Sequence, residues 1–319
     1  MLVLITLVMS IPGTILAISF NALFADVVPP GWRGEVVGRR NAILSFSMTA
    51  TSLLCGQLLD NILFPLNYQL VFALGAFGAL ASSYHLGRLH TPTEPRPRIR
   101  QLFLEFARPG LLRFTDTFRM PLGMRFVRRN GSRSLLRPDL LRSSFGSFML
   151  AYLLFYTFQY VPLPLYPLFF VHGLHLTDGA ISLGSALYYG LMLAASLQLS
   201  FLSERLGHRG VLVLGSICTS LYPLLIGLAQ SATLFWVGSA IGGIFWAFTN
   251  GGLVNRLMER VPADDRPAHM TLHNLMLNLG ILSGSFAGPL LSSWLGLREA
   301  ILLSVGLRLI GGVLIYFWG

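Results

Sequence analysis

The sequence predicts an all-α membrane protein, and three observations support this: its composition, the length of its apolar runs and the distribution of its arginine residues. Hydrophobic residues make up 54% of the 319 positions and charged residues only 11%, whereas soluble domains carry about 25% charged residues. The mean hydropathy is +0.65. A soluble fold cannot bury so much apolar surface, and long unbroken apolar runs indicate helices because barrel strands alternate in polarity.

Nine apolar runs are long enough to cross a bilayer as a helix, which needs roughly 20 residues. The predicted spans are 1–25, 38–60, 68–90, 144–171, 180–202, 210–229, 233–256, 270–292 and 299–319. The first run has no basic region and no small-residue cleavage site, so we interpret it as a span rather than a signal peptide.

The basic residues predict the orientation of these spans. All 23 are arginine, and 21 of them lie in alternate connections, at 26–40, 88–142, 203–210 and 256–268. The opposite connections carry only Arg298. Because basic loops stay on the cytoplasmic side, we expect Met1 outside and Gly319 inside the cytoplasmic (inner) membrane. The net charge of +10 therefore belongs to loops, and no nucleic-acid partner is expected.

Two of the basic connections repeat the same residues at an offset of 233. The pairs are Asp26 and Glu259, Val28 and Val261, Pro29 and Pro262, Arg33 and Arg266, and Asn41 and Asn274. Both copies lie on the predicted cytoplasmic side, so the spans form a parallel internal duplication.

The duplication predicts three regions. Residues 1–90 form a partial unit of three helices, equivalent to helices four to six, 91–143 form a basic cytoplasmic linker, and 144–319 form a complete six-helix unit. The offset places the start of the first unit before Met1, so we expect a twelve-span protein whose first three helices this chain lacks. We interpret the linker as a tether to an anionic leaflet. The alternative is a regulatory or lipid-binding segment.

A loop motif adds to this topology. The stretch S-F-L-S-E-R-L-G-H-R-G, 200–210, is similar to the major facilitator superfamily motif G-x-x-x-D-R-x-G-R-R. Arg205, Gly207 and Arg209 match it, whereas Ser200, Glu204 and His208 replace Gly, Asp and Arg. Together with two parallel units and a basic linker, the motif makes the chain resemble that superfamily. The resemblance implies a secondary active transporter that moves a small organic solute by alternating access, without a cofactor.

The resemblance also implies a cytoplasmic latch. Its acids would be Asp26 and Glu259 at the ends of the fourth helices, and its bases Arg33 and Arg266 before the fifth helices. Such acids can pair with the loop motif and with the positive end of the next helix. The loop-motif residues of the latch are Glu204, Arg205 and Arg209. The alternative is that these are ordinary helix-end charges, with Pro29 and Pro262 forming turns.

The solute cavity implied by the resemblance is lined by the first and fourth helices of each unit. Tyr152, Tyr156 and Gln159 share one helical face in the first helix, Trp246 and Asn250 share one in the fourth, and Asn21 belongs to the partial unit. These residues predict a neutral or weakly polar solute, with ordinary packing as the alternative. Prolines 162, 164 and 167 are expected to break their helix and could act as a gate hinge.

Buried charge is sparse in the predicted spans. No carboxylate lies inside a span, Asp60 at a span end being the closest, so a coupling ion cannot be read from the sequence. Arg308 lies mid-span and is interpreted as snorkelling or as a misplaced boundary, with contact to an anionic solute as the alternative. His269 and His273 are interpreted as solvated, and no metal site is expected.

A small-residue stripe, Gly280, Gly284 and Gly288, predicts close helix contact. The equivalent stretch of the span at 38–60 lacks the Gly-Pro pair of the family's antiporters, which disfavours drug/proton antiport.

Several functions compete with the leading one. The nearest alternative is a drug or metabolite efflux carrier of the same family, and another is a truncated, non-transporting fragment. An enzyme is not expected, because no nucleophile–base pair or histidine cluster lies within the spans. The expected partners are a small-molecule solute and membrane lipids, and we expect a monomer.

Overall fold

The computed structural model describes residues 33–88, 138–261 and 266–319. Ten α-helices run through these ranges: α1 (Arg33–Asn61), α2 (Leu66–Gly87), α3 (Ser144–Tyr160), α4 (Leu165–Leu168), α5 (Asp178–Ser196), α6 (Leu199–Cys218), α7 (Leu221–Leu228), α8 (Ala232–Arg260), α9 (Arg266–Leu295) and α10 (Leu297–Trp318). A 3₁₀ turn at Pro138–Arg142 precedes α3, and a π-helical turn at Phe169–Gly173 follows α4. No strand occurs in the described ranges.

Eight stretches of these helices are long and apolar enough to span a membrane. They are Ala42–Asn61, Leu66–Gly87, Phe145–Gly173, Asp178–Ser196, Leu199–Leu228, Ala232–Leu257, His269–Leu295 and Leu297–Trp318. They correspond in order to the last eight predicted spans, and the predicted span 1–25 lies outside the described residues. The all-α, multi-pass prediction is therefore confirmed.

The chain divides into two compact units, residues 1–40 with 77–133 and residues 41–76 with 134–319. The described part of the first unit is helical and includes the end of α2, where the Arg88 guanidinium lies 4.5 Å from the Tyr84 ring centre. The cavity and the contacts of Asp60 and Tyr68 described below lie in the second unit.

The six spans from α3 to α10 pack as one bundle, in which α8 lies against α5 and α6 while α9 and α10 lie against α3. Two apolar clusters form its core. One gathers around Phe148, Tyr152 and Ile315, and the other around Phe235 and Ile301. Large apolar side chains elsewhere are exposed, as is usual where helices face lipid tails rather than water.

The glycine stripe of α9 lies directly against α3. A Cβ atom at Gly280 would come within 2.6 Å of the Tyr156 Cβ, and a Cβ at Gly284 would overlap the Thr157 carbonyl oxygen. Only a residue without a side chain allows the two backbones to approach so closely. The predicted close helix contact is confirmed.

The prolines after α3 break the helix, as the sequence predicts. Helix α3 ends at Tyr160, and Pro164 precedes the single turn of α4. The Leu163 N–H bonds to the Tyr160 carbonyl at 3.3 Å instead of reaching back four residues. The Gln159 carbonyl is therefore left without its usual helical donor.

The loop motif marks a reversal of the chain within α6. Gly207 has φ +70° and ψ 163°, which is not helical and suits a residue without a Cβ. On either side of it, Leu199 lies against Gly251 of α8 and Leu212 against the adjacent Gly252. Because two residues thirteen positions apart meet neighbouring positions of one helix, the chain turns back between them, within the predicted connection 203–210.

Candidate functional site

A cavity of about 280 Å³ lies within the six-helix bundle. Its wall is built from α3, α4 and the π-helical turn after it, α5, α7, α8 and α10, and from Thr219 in the break between α6 and α7. The polar and aromatic side chains that matter most below are Gln159, Tyr166, Tyr188, Tyr222, Trp246 and Arg308.

Aromatic rings form most of the cavity wall. The Tyr166 and Tyr222 rings meet edge to face with centroids 5.0 Å apart, and the Tyr188 and Tyr222 centroids are 6.0 Å apart. Edge-to-face contacts of this kind hold rings in fixed orientations. The wall is consequently a rigid aromatic surface and suits an apolar solute body.

Three polar groups on the wall lack a complete set of hydrogen bonds. The Tyr166 hydroxyl, the Gln159 side-chain oxygen and Nε of Arg308 are buried and have no hydrogen-bond partner among the described residues. Buried polar groups without partners are rare in folded proteins, because each carries a desolvation penalty. All three belong to residues that line the same cavity.

Arg308 was interpreted wrongly from the sequence. It does not snorkel, because only 4% of its surface is exposed, and its guanidinium lies on the cavity wall. The sequence signal that could have identified it is its position in the middle of an otherwise apolar helix. The outward direction of its side chain was assumed there, and helix packing shows it to be inward.

The predicted solute-binding residues separate into two groups. Gln159 and Trp246 line the cavity. Tyr152 and Tyr156 instead lie in the core, where the Tyr152 hydroxyl is 3.5 Å from the Leu253 carbonyl. Asn250 is exposed, and Asn21 lies outside the described residues. A role of these other residues in solute binding stays a prediction.

The two histidines near the start of α9 are not solvated, contrary to the sequence-based interpretation. The His269 ring lies 4.5 Å from the Phe145 ring, and only 5% of its surface is exposed. Nε2 of His273 is 3.1 Å from the Tyr156 hydroxyl. Both histidines therefore belong to the contact between α9 and α3, since their apolar neighbours exclude water.

The predicted latch residues do not pair as expected in this structure. Glu259 accepts a bond from Arg256 at 2.8 Å, one turn away on the same helix. The Arg205 guanidinium instead lies 4.2 Å from the Phe201 ring centre, and Arg209 donates to the Tyr316 carbonyl. Glu204 is exposed. Asp26 lies outside the described residues, and of Arg33 and Arg266 only the backbone is described, so the gating role stays a prediction.

A second set of charges joins α1 and α2 to the start of α5. The Asp60 carboxylate accepts a bond from the Gly179 N–H at 2.8 Å, and the Tyr68 hydroxyl donates to the Asp178 carboxylate at 2.9 Å. A Cβ at Gly56 would come within 2.6 Å of the Ser182 Cβ, so the helices touch here. Sequence reasoning noted Asp60 only as a span-end acid, because its partner lies 119 residues away.

This architecture defines the class of protein. A multi-pass helical bundle with a polar and aromatic cavity among its spans agrees with the architecture of membrane transporters.

The comparison with known families agrees. The family model described as Major Facilitator Superfamily matches residues 148–319, which is more than half of the chain, and the chain belongs to this superfamily of membrane transporters. No curated protein sequence matches the chain.

Proposed function

We propose that the protein is a secondary active transporter that moves a small organic solute across the cytoplasmic membrane by alternating access. The observation that carries the proposal is the cavity, since it lies among membrane spans and has unpartnered polar groups on an aromatic wall. The proposed partners are the solute and membrane lipids, and the proposed unit is a monomer with its arginine-rich loops in the cytoplasm.

The size of the cavity supports a small solute. Its volume is about 280 Å³, near the lower end of the roughly 300–1,000 Å³ typical of ligand pockets. Gln159 and Trp246 would contact the solute in this conformation. Tyr152, Tyr156 and Asn250 would do so only if the surrounding helices moved.

The contact of α1 and α2 with α5 supports alternating access. It joins one copy of the duplication to the other through Asp60 and Tyr68. Both bonds involve exposed atoms at helix ends, which are weak enough to break in a transport cycle. We propose that this contact closes one face of the bundle, and that the loops carrying Glu259 and Arg266 close the other.

A labelling experiment tests this mechanism without knowledge of the solute. The variant would carry Ser185→Cys on the cavity wall, with Cys55 and Cys218 replaced by serine. It would be reconstituted in liposomes and treated with a membrane-impermeant thiol reagent added to one face at a time. We expect the thiol to react from either face, with the ratio of the two rates shifted by substitutions at the α1–α5 contact.

The matched control is Leu197→Cys, because Leu197 is 76% exposed and lies away from the cavity wall. Its labelling should not respond to those substitutions. A Ser185→Cys thiol that reacts from one face only, in every variant, would exclude alternating access at this cavity.

A further inference from the structure

The last helix places a positive charge in the interior of the bundle. Arg308 lies near the middle of α10 and is 4% exposed. Removing a guanidinium from water costs several kcal/mol unless other groups compensate for the lost hydration. The groups around Arg308 therefore determine what this charge can do.

Two helix breaks provide part of the compensation. Arg308 donates to the Thr219 carbonyl at 3.1 Å and to the Gln159 carbonyl at 2.9 Å. Both carbonyls lack their usual helical donor: Pro223, four residues after Thr219, has no N–H, and the Leu163 N–H bonds to Tyr160 instead of Gln159. The Thr219 carbonyl also accepts the Tyr222 N–H at 3.3 Å, so it serves two donors. These bonds fix the guanidinium at the cavity wall.

The positive charge itself is not neutralised by these bonds. Carbonyl dipoles solvate a cation but carry no net charge. Among the described side chains, the ion pair is Arg256 with Glu259, and no carboxylate pairs with Arg308. Nε of Arg308 has no partner either. An unneutralised cation in a low-dielectric cavity attracts an anion strongly.

Groups beside Arg308 can complete the recognition of an anion. The Tyr166 hydroxyl is buried, lines the cavity and has no partner, so it can donate to an anionic oxygen. The Gln159 amide, whose oxygen also lacks a partner, can turn its N–H₂ group towards the same oxygen. The rings of Tyr188 and Trp246 offer an apolar surface for the rest of the solute.

We infer that the cavity binds a small monoanion, a carboxylate on an aromatic or other apolar body, with Arg308 as its charge partner. The inference rests on the proposed transport function of this cavity and replaces the neutral solute that the sequence suggested. One unneutralised charge matches one carboxylate, whereas a phosphate dianion would leave a net negative charge buried.

Benzoate and benzamide test this inference, because the two molecules have nearly the same shape and differ in charge. The measurement is protection of the Ser185→Cys thiol from the labelling reagent, with inorganic phosphate as a third probe. Benzoate should protect at a concentration at least about tenfold lower than benzamide, and phosphate should not protect. Equal protection by benzoate and benzamide, protection by phosphate, or no protection by benzoate would overturn the inference.

Three substitutions assign the effect to Arg308. Arg308→Gln should abolish the preference for benzoate, and Arg308→Lys should retain the preference with weaker protection, because lysine lacks the planar pair of donors. Since Arg308→Gln also removes two structural bonds, Gln159→Glu is the second test: it leaves Arg308 in place and supplies a neighbouring carboxylate. It should lower benzoate protection at least about tenfold. Unchanged benzoate preference in folded Gln159→Glu and Arg308→Gln proteins would exclude Arg308 as the anion partner.

The matched control is Arg256→Gln, which removes an arginine that already pairs with Glu259 and should keep the benzoate preference. The two proposals fail separately. If the thiol is labelled from both faces but benzoate protects it no better than benzamide, the transport proposal stands and the anion site is excluded. If benzoate protects better than benzamide but the thiol is labelled from a single face, the anion site stands and alternating access is excluded.

Discussion

The two ends of the spans hold their charged groups in different ways. At the Asp60 edge, formed by Asp60, Tyr68, Asp178 and Gly179, two bonds connect residues 119 and 110 positions apart. At the Glu259 edge, formed by Arg256, Glu259, Arg260 and Gly319, the bonds stay within the six-helix unit. There Arg256 pairs with Glu259, and Arg256 and Arg260 donate to the Gly319 carbonyl.

This difference shows which edge can respond to a movement of one repeat against the other. Bonds between the copies of the duplication must break when the copies separate, whereas bonds within one copy move with it. In this conformation, the bonds of the Asp60 edge join the two predicted copies. The bonds among the described residues of the Glu259 edge stay within one copy. Substitutions at the two edges should therefore have unequal effects on the labelling of the Ser185→Cys thiol from the two faces.

The largest effect is expected from Gly56→Leu. The new side chain would overlap Ser182 and force α1 away from α5, and such overpacking costs about 1–3 kcal/mol, or roughly 5- to 150-fold in the ratio of labelling rates. The rate at which the Ser185→Cys thiol is labelled from the Asp60 face should rise. Gly75→Leu is the control, because nothing lies within 4 Å of that position. Similar ratios in the two variants would contradict a closing role for the α1–α5 contact.

Asp60→Ala should have the next largest effect. It removes a carboxylate that accepts a bond from the first turn of α5, and bonds to charged groups contribute about 1.5–3 kcal/mol, with exposed ones at the low end. We expect about a tenfold shift of the labelling ratio towards the Asp60 face. Asp60→Asn keeps an acceptor and should shift it about two- to fivefold.

The control for both Asp60 variants is Asn61→Ala, because the Asn61 side chain bonds only to its own helix, at Gln57. If Asn61→Ala shifted the ratio as much as Asp60→Ala, a general loosening of α1 would explain the result better than the bond to Gly179.

Tyr68→Phe should have a smaller effect, because it removes one exposed bond to Asp178 and keeps the ring. A single hydrogen bond contributes about 0.5–1.5 kcal/mol, so the labelling ratio should shift roughly two- to tenfold. Tyr84→Phe is the comparison, since the Tyr84 ring contacts Arg88 and no hydrogen bond from its hydroxyl is described. Equal shifts in the two variants would mean that the Tyr68 bond does not hold the edge.

Glu259→Gln should have the smallest effect on this ratio. The Glu259 side chain is 42% exposed and its partner lies on the same helix, and such helix pairs contribute only about 0.3–0.5 kcal/mol. The shift should be less than about threefold and should vanish at high salt. Glu204→Gln is the control. A tenfold shift of the labelling ratio in the Glu259→Gln variant would show that Glu259 makes a stronger bond in another conformation, as the predicted latch requires.

Much of the fold could be predicted from the sequence, because local composition determines it. Apolar runs locate the spans, the prolines after Tyr160 end α3, and Gly207 marks a turn, since each of these acts through its own backbone or its own stretch of chain. The glycine stripe of α9 also predicts a close contact without naming the partner helix.

The site could be predicted only in part. Gln159 and Trp246 were assigned to the cavity because the superfamily resemblance implies that the first and fourth helices line it, and both residues do line it. The same reasoning placed Tyr152 on the cavity face, where the structure shows core packing. Periodicity defines which residues share a face, but it does not determine which neighbour that face meets. For this reason snorkelling was favoured for Arg308 over contact with a solute, and the bonds of Asp60 were missed because their partners are distant in sequence.

The sequence by itself determined that this protein is a multi-pass helical bundle, because hydrophobicity acts through local segments of the chain. Only the tertiary structure decided which side chains meet. It turned Arg308 inward onto the Thr219 and Gln159 carbonyls at two helix breaks, and it brought Asp60 to the first turn of α5. Those contacts depend on how helices pack across the bundle, and packing is a property of the whole chain rather than of any one segment.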